Sequence, residues 1–367
     1  MSQALYRKYR PKKLDDLLGQ EQVVGVLKNA ASSNKLSHAY LFYGPRGTGK
    51  TTAARILAKI ACCFTRRDNE KFRAKGEPCN DCQACNEIDA GRGIDVIEID
   101  AASNTGVDEI RNLKEGIRLS PSSYPYKVFI LDEAHMLSKS AFNALLKTLE
   151  EPPAHAIIIL ATTEFDKVPA TITSRTQRFH FKKLALDLMV GKLESIVKSE
   201  KLKVSADALE FIAALAEGSF RDAESLLDQV TALSSDVDLP LVEKTIGKVG
   251  FNRTSELADY ILKTDLKAAL NYILKINEGG YNVVDLTKEL VHYFRRVLTL
   301  KFNPDLETEF KKELTSKELE QIKFHVKIAD STKLIALIKS LIRSYSEMRY
   351  SPFATIPLEV AIIENLR

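Results

Sequence analysis

The sequence contains no tryptophan, so no indole contributes to any core or site. No apolar run approaches the ~20 residues that a bilayer-spanning helix needs, which leaves no evident membrane segment. The opening residues Met1-Ser2-Gln3-Ala4-Leu5-Tyr6-Arg7-Lys8-Tyr9-Arg10 lack the apolar stretch of a secretory signal. The expectation is therefore a cytoplasmic protein with no membrane partner. Low-complexity tails and internal repeats are missing too. Cysteine is absent outside positions 62–85, where all five cysteines lie. That excludes a disulfide framework spread along the chain and, in a cytosolic setting, favours metal binding. Excess charge is small, at +4, which permits a nucleic-acid partner without proving one. What is present is an ordinary globular composition, 45% hydrophobic and 28% charged, over 367 residues. A chain of that length accommodates about two or three domains.

The most informative stretch is Gly44-Pro45-Arg46-Gly47-Thr48-Gly49-Lys50-Thr51, which matches the phosphate-binding pattern G-x-x-x-x-G-K-[ST] at every fixed position. Glycines let backbone N–H groups turn inward around phosphate oxygens. Lys50 supplies a point charge to the β- and γ-phosphates, and Thr51 offers a hydroxyl to Mg²⁺. The preceding run Ala39-Tyr40-Leu41-Phe42-Tyr43 reads as a buried strand, and 52–61 reads as a helix whose N-terminus favours an anion.

Further strands are expected at 94–100, 127–132, 156–161 and 177–181. Continuous apolar runs such as Val128-Phe129-Ile130-Leu131 and Ile157-Ile158-Ile159-Leu160 indicate parallel strands covered on both faces. With helices between them they predict a doubly wound α/β sheet. After Leu184 apolar residues recur at helical spacing, for example Leu209, Ile212, Ala213, Leu215 and Ala216. A break from Asp238-Leu239-Pro240 to Gly250 suggests a boundary between two helical parts.

The strand at 127–132 ends in Asp132-Glu133-Ala134-His135. Asp132 is placed to hold the Mg²⁺ shell and Glu133 to orient the attacking water. His135 reads as a packing or supporting histidine. The strand at 156–161 runs into Thr162-Thr163, whose tip should lie between the phosphate loop and the Asp132 strand, where a hydroxyl could sense the γ-phosphate.

Cys79-x2-Cys82-x2-Cys85 brings thiols together in a tight knuckle, and either Cys63 or its neighbour Cys62 could complete a four-sulfur site. Such a set suits Zn²⁺ in a structural role, with an iron–sulfur cluster the weaker alternative. A further helix opening at Thr105-Gly106-Val107-Asp108 would carry Arg111, Lys114 and Arg118 on one stripe. That stripe could contact DNA phosphates or be a solvated face.

Together, Gly44–Thr52, Asp132-Glu133-Ala134-His135, Ala161-Thr162-Thr163 and Ser174-Arg175 resemble the AAA+ ATPases of the clamp-loader group. Tyr6-Arg7-Lys8-Tyr9-Arg10-Pro11 with Leu17-Leu18-Gly19-Gln20 is similar to the segment that packs over the adenine in that group. Leu36-Ser37-His38-Ala39-Tyr40-Leu41-Phe42 and the cysteine insertion narrow the match. The resemblance implies an AAA+ P-loop parallel sheet over 1–181 with an inserted zinc module at about 62–86. It further implies a helical lid at 182–243 and an all-helical oligomerisation collar at 244–367.

The resemblance also implies a nucleotide-binding set of Gly44, Pro45, Arg46, Gly47, Thr48, Gly49, Lys50, Thr51 and Thr52 with Tyr9 and Arg10. Lys50, Asp132, Glu133, Thr163, Arg175 and Arg221 would be catalytic, with Thr51 and Asp132 on Mg²⁺. Arg175 matches an arginine that reaches a neighbour's γ-phosphate, although Thr176 stands where the group's motif has cysteine. Arg221 matches an arginine contributed by the lid. Alignment selects Cys63, with Cys79, Cys82 and Cys85, as the zinc ligands, and it turns the Arg111, Lys114 and Arg118 stripe into a DNA contact. ATP, Mg²⁺ and Zn²⁺ are the implied cofactors. Other loader subunits in a ring-like hetero-oligomer, a sliding clamp and primer–template DNA are the implied partners. A non-hydrolysing structural subunit and a helicase-type motor are the competing functions. Intact Lys50, Thr51, Asp132 and Glu133 argue against the first, and the cysteine insertion against the second.

Overall fold

The run Ala156–Thr162 is buried along its whole length and forms the middle strand of a five-stranded sheet. In chain order the strands are β1 (Ala39–Tyr43), β2 (Val96–Asp100), β3 (Lys127–Asp132), β4 (Ala156–Thr162) and β5 (Gln177–His180). Their spatial order is β2-β3-β4-β1-β5, and every pairing is parallel. This computed structural model describes residues 4–103, 115–247, 250–311, 314–348 and 350–367.

Alternation along the strands fills two layers. Tyr40, Phe42, Val128, Ile130, Ile157 and Ile159 face Ala53, Ala54 and Leu57 of helix α1 (Lys50–Cys62). On the opposite face Leu41, Phe129, Leu131, Ile158 and Leu160 meet Phe142, Leu145 and Leu149 of helix α2 (Lys139–Glu150). Each large apolar side chain contributes about 1.5–3 kcal/mol on burial, so these two layers dominate the stability of the sheet. The edge strand β2 is only half-buried, and in β5 only Phe179 is buried.

Parallel pairing brings the C-terminal strand ends to one rim. Tyr43 lies opposite Thr162, Leu131 opposite Leu160, and Asp100 opposite Asp132. The expected position of the β4 tip, between the phosphate loop and the Asp132 strand, follows from β4 lying between β1 and β3.

The chain divides into two units, one of residues 1–184 with 216–225 and the other of 185–215 with 226–367. Among its described residues the second unit is helical, as the periodicity indicates, apart from a two-residue parallel ladder between Lys203–Val204 and Asp236–Val237 that the pattern does not announce. Its core is built by helices such as Val283–Phe302, which buries Leu286, Leu290, Tyr293, Phe294, Val297 and Leu300 on one stripe. Asn282 caps that helix, accepting from the N–H groups of Val284 and Asp285. The stretch 238–250 contains a helix, Leu239–Ile246, capped by Asp238 and ended by Gly247 at φ 69°. Among the described residues no helix is long and apolar enough to cross a membrane.

Candidate nucleotide site and cysteine centre

The phosphate loop joins β1 to α1. Gly44 and Gly47 are dictated by close approach. A Cβ on Gly44 would lie 2.1 Å from the Phe181 carbonyl oxygen, and one on Gly47 would lie 1.8 Å from Ser219 Oγ. Both hold positive φ, 143° and 72°. Lys50 is buried at the start of α1 and its Nζ donates to the carbonyls of Gly44 and Pro45 at 2.8 and 2.7 Å. Burial pulls its ammonium below the ordinary lysine value, against the opposing charges of Glu133 and Asp132. Thr48 Oγ1 also donates to the Pro45 carbonyl, at 2.9 Å.

Thr51 and Asp132, distant in sequence, meet here. Thr51 Oγ1 donates to Asp132 Oδ2 at 2.7 Å. A hydroxyl and a carboxylate this close form an oxygen pair suited to Mg²⁺, a hard cation that keeps much of its water. Glu133 follows in the left-handed region, φ 47° and ψ 44°, which is uncommon for a residue with a side chain. Its Oε2 accepts from Thr163 Oγ1 at 2.9 Å. Thr162 is fully buried, and His135 Nδ1 lies 3.0 Å from its Oγ1. The threonine pair at the β4 tip is thus divided: Thr163 turns to Glu133 and Thr162 to His135.

Several arginines lie close to Arg10. Ser219, which meets Gly47, caps the helix Phe220–Thr231 by accepting from Asp222 N at 3.2 Å. Arg221 in its first turn stacks 5.4 Å above the Tyr6 ring. Arg10 is pulled below the ordinary arginine value first by burial and then by Arg55, with Arg221 and Arg7 adding and Glu98 opposing. Crowded like charges beside a phosphate loop favour an anion there. Tyr9 is half-buried, with Lys8 Nζ 5.8 Å over its ring. Arg175 is held within its own chain, by Thr171 O at 2.8 Å and Glu150 Oε1 at 2.7 Å.

At the far end of α1 the sulfurs of Cys63, Cys79, Cys82 and Cys85 all lie within 4.8 Å of one another. Cys79 and Cys85 are 3.9 Å apart, and Cys63 and Cys82 are 4.0 Å apart. A zinc tetrahedron with Zn–S bonds of about 2.3 Å has sulfur–sulfur edges of about 3.8 Å, so the donor set fits Zn²⁺ in both chemistry and spacing. The Cys85 thiol holds Cys63 below the ordinary thiol value, and Cys63 in turn pushes Cys85 up. Cys62 points elsewhere: its sulfur lies 3.5 Å from the Tyr126 carbonyl, and burial pushes its thiol up.

Several supporting residues carry no motif. Lys59 is 1% exposed and reaches Asp89 Oδ1 at 2.8 Å, Asn80 Oδ1 at 2.7 Å and Lys12 O at 3.2 Å. Glu77 accepts from the N–H groups of Leu14 and Asp15, and Arg66 donates to the carbonyls of Ile60, Arg73 and Ala31. Each ties the cysteine segment to α1 or to the N-terminal segments. The signal available in sequence was a lone lysine within Ala58-Lys59-Ile60-Ala61-Cys62, an otherwise apolar helix end. Of the basic stripe, Arg118 is exposed near the end of a helical turn at 115–118, while Arg111 and Lys114 lie outside the described residues.

Comparison with known proteins covers nearly the whole chain. A family described as DNA polymerase III, delta subunit, matches residues 19–185. The clamp loader subunit ATPase lid domain of DNA polymerase III matches 189–236, and domain III of its subunits gamma and tau matches 237–366. DNA polymerase III subunit tau of Bacillus subtilis is 42% identical over 99% of this chain and 63% of its own length. Subunit tau of Escherichia coli is 34% identical over 99% of this chain and 55% of its own. Subunit gamma of Buchnera aphidicola subsp. Acyrthosiphon pisum is 34% identical over 98% of both chains. The chain thus spans little more than half to under two-thirds of these tau proteins and nearly all of that gamma protein. Among solved structures, the Bacillus subtilis DNA clamp loader delta protein (YqeN) aligns over 93% of this chain and 99% of its own, at 12% identity and a TM-score of 0.44.

Proposed function

This chain belongs to the gamma/tau subunit family of DNA polymerase III, and from that premise we propose that it is an ATP-hydrolysing motor subunit of a replicative clamp loader. In this reading it sits in a ring-like hetero-oligomer with other loader subunits in the cytoplasm. It engages a sliding clamp and primer–template DNA, and hydrolysis releases both. The observation that carries the reading is the meeting of Thr51 with Asp132 at 2.7 Å beside the buried Lys50, with Glu133 held by Thr163 on the same rim. A purely structural subunit has no need of that convergence.

The roles follow from the chemistry. Residues 44–52 cradle the phosphates, with Tyr9 and Arg10 on the base and sugar side. Lys50 neutralises phosphate charge, and Thr51 and Asp132 would hold Mg²⁺, which supplies charge neutralisation for the leaving phosphates. Glu133 orients the attacking water and Thr163 senses the γ-phosphate. Arg221 acts on the ATP of its own chain and Arg175 on that of a neighbour. Cys63, Cys79, Cys82 and Cys85 hold a structural Zn²⁺. Arg111, Lys114 and Arg118 contact DNA phosphates. The parts at 1–181, 182–243 and 244–367 serve as ATPase core, lid and collar.

The test is the ATPase rate of the assembled loader. Sliding clamp plus primed DNA should stimulate it strongly, and duplex junctions without clamp should not. Equal stimulation by junctions alone would favour a helicase-type motor.

A further inference from the structure

Glu77 belongs to no motif and has no part in the chemistry assigned above. It lies in the cysteine segment, with only Pro78 between it and Cys79, and it is 7% exposed. Its two carboxylate oxygens are divided between two backbone donors. Oε2 accepts from Leu14 N–H at 2.8 Å, and Oε1 accepts from Asp15 N–H at 3.0 Å. Lys28 Nζ lies 3.8 Å from Oε1 and 2.6 Å from Asp15 Oδ2. A second tie runs beside the first. Asn80 Oδ1 accepts from Lys59 Nζ at 2.7 Å, and the same ammonium donates to the Lys12 carbonyl at 3.2 Å. Glu77 directly, and Asn80 through Lys59, therefore hold the backbone between Lys12 and Asp15 from either side of Cys79.

That short span leads to the nucleotide site in both directions. Two residues before Lys12 stands Arg10, half-buried and crowded by Arg55 of α1 and by Arg221. Two residues after Asp15 stands Leu17, which is buried, and a Cβ on Gly49 would lie 3.5 Å from its Cδ2. Beyond it, Gln20 donates to the Lys182 carbonyl at 2.9 Å and accepts from Lys182 N–H at 3.1 Å. Lys182 follows the Phe181 whose carbonyl bars a side chain at Gly44. Between these points the chain makes one 3₁₀ turn of three residues, Leu14–Asp16. So short a turn has little hold on its own shape. Asp16 closes it locally, accepting from Lys13 N–H at 3.2 Å, whereas the N–H groups of Leu14 and Asp15 turn to Glu77.

We propose that Glu77 is a positioning residue of the nucleotide site, fixing the backbone at 14–15 so that Arg10 and Leu17 stand preset beside the phosphate loop before ATP arrives. The proposal rests on the reading that places Tyr9 and Arg10 on the base and sugar side. A segment ordered in advance costs nothing to order on binding. Without Glu77, ATP must order it, and affinity falls. The phosphate loop itself is built on β1 and α1 and is left as it was.

Titration calorimetry of the full chain with MgATP and with inorganic triphosphate tests this. Glu77→Ala should raise the Kd for ATP about 10-fold, the equivalent of one such hydrogen bond. Glu77→Gln keeps one acceptor oxygen and should fall between that variant and the parent. Inorganic triphosphate has no base or sugar, so both variants should bind it within about 2-fold of the parent. Hydrogen exchange without nucleotide supplies a second readout. Residues 10–17 should exchange slowly in the parent and about 10-fold faster in Glu77→Ala, with β1 and β4 unchanged. An unchanged Kd for ATP in Glu77→Ala would overturn the proposal, as would a loss shared equally by inorganic triphosphate. Exchange at 10–17 that stays slow in both variants would overturn it too. A parent that binds inorganic triphosphate as tightly as ATP would instead contradict the base-side reading of Tyr9 and Arg10. The exchange rates would still decide whether Glu77 holds the segment.

Discussion

The two ends of α1 hold opposite kinds of site. At Lys50 the helix begins with free N–H groups and the positive end of its dipole, which suit an anion. At Cys62 it ends at the negative pole, and Cys63 turns away in extended conformation to join three more sulfurs, which suit a cation. The difference lies in how each site is assembled. The cysteine centre draws all four donors from positions 63–85 and closes on itself. The phosphate end draws on β1, β3, the β4 tip, the N-terminal segment and the turn at Ser219. A site built from one short segment is suited to a fixed structural role. A site built from five can register the displacement of any one of them, which is what a motor requires.

The comparison breaks most visibly at Arg175. If the nucleotide end is distributed even beyond its own chain, Arg175→Ala should leave ATP affinity of the isolated chain nearly unchanged and lower clamp- and DNA-stimulated turnover of the assembly by ~10³-fold or more. Freed from Glu150, the parent side chain must reach the neighbour, so mixing the variant with Lys50→Ala subunits should give defects that depend on adjacency. Loss of ATP binding by the isolated variant would place the residue in its own site.

The cysteine end should respond in the opposite way, locally and completely. Purified chain should carry about one zinc, and Cys63→Ser should lose it while Cys62→Ser keeps it. Elemental analysis decides this, and zinc retained in Cys63→Ser but lost in Cys62→Ser would reverse the ligand choice. A smaller effect is expected at Lys59, which ties the cysteine segment to α1 and to the Lys12 carbonyl. Lys59→Met keeps the stem and removes the ammonium from Asp89 and Asn80, at a cost of about 2 kcal/mol in urea unfolding. Asp89 is partly exposed and can turn to water. A variant as stable as the parent would show that the tie contributes nothing.

Local spacing explains why some of this was legible in the sequence. The five strands lie within two residues of their expected bounds because central parallel strands are continuous apolar runs, as in β3 and β4. The phosphate loop and the Cys79-Cys82-Cys85 knuckle are readable because their chemistry is fixed by neighbours in sequence. What was illegible depends on approach between distant segments. Nothing near Ser219 announces that it bars a side chain at Gly47, and nothing near Glu164 announces its contact with His135. The ladder of Lys203–Val204 with Asp236–Val237 is two residues long, too short to leave a period-two pattern.

Turnover by Glu133→Gln tests the central claim most directly. Glutamine keeps the size of the side chain and a hydrogen-bonding oxygen for Thr163 but removes the charge that would orient the water. In the assembled loader with clamp and primed DNA, this variant should bind ATP as tightly as the parent and hydrolyse it at least ~10²-fold more slowly. Hydrolysis at the parent rate would contradict the assignment of the hydrolytic site to the Glu133 rim.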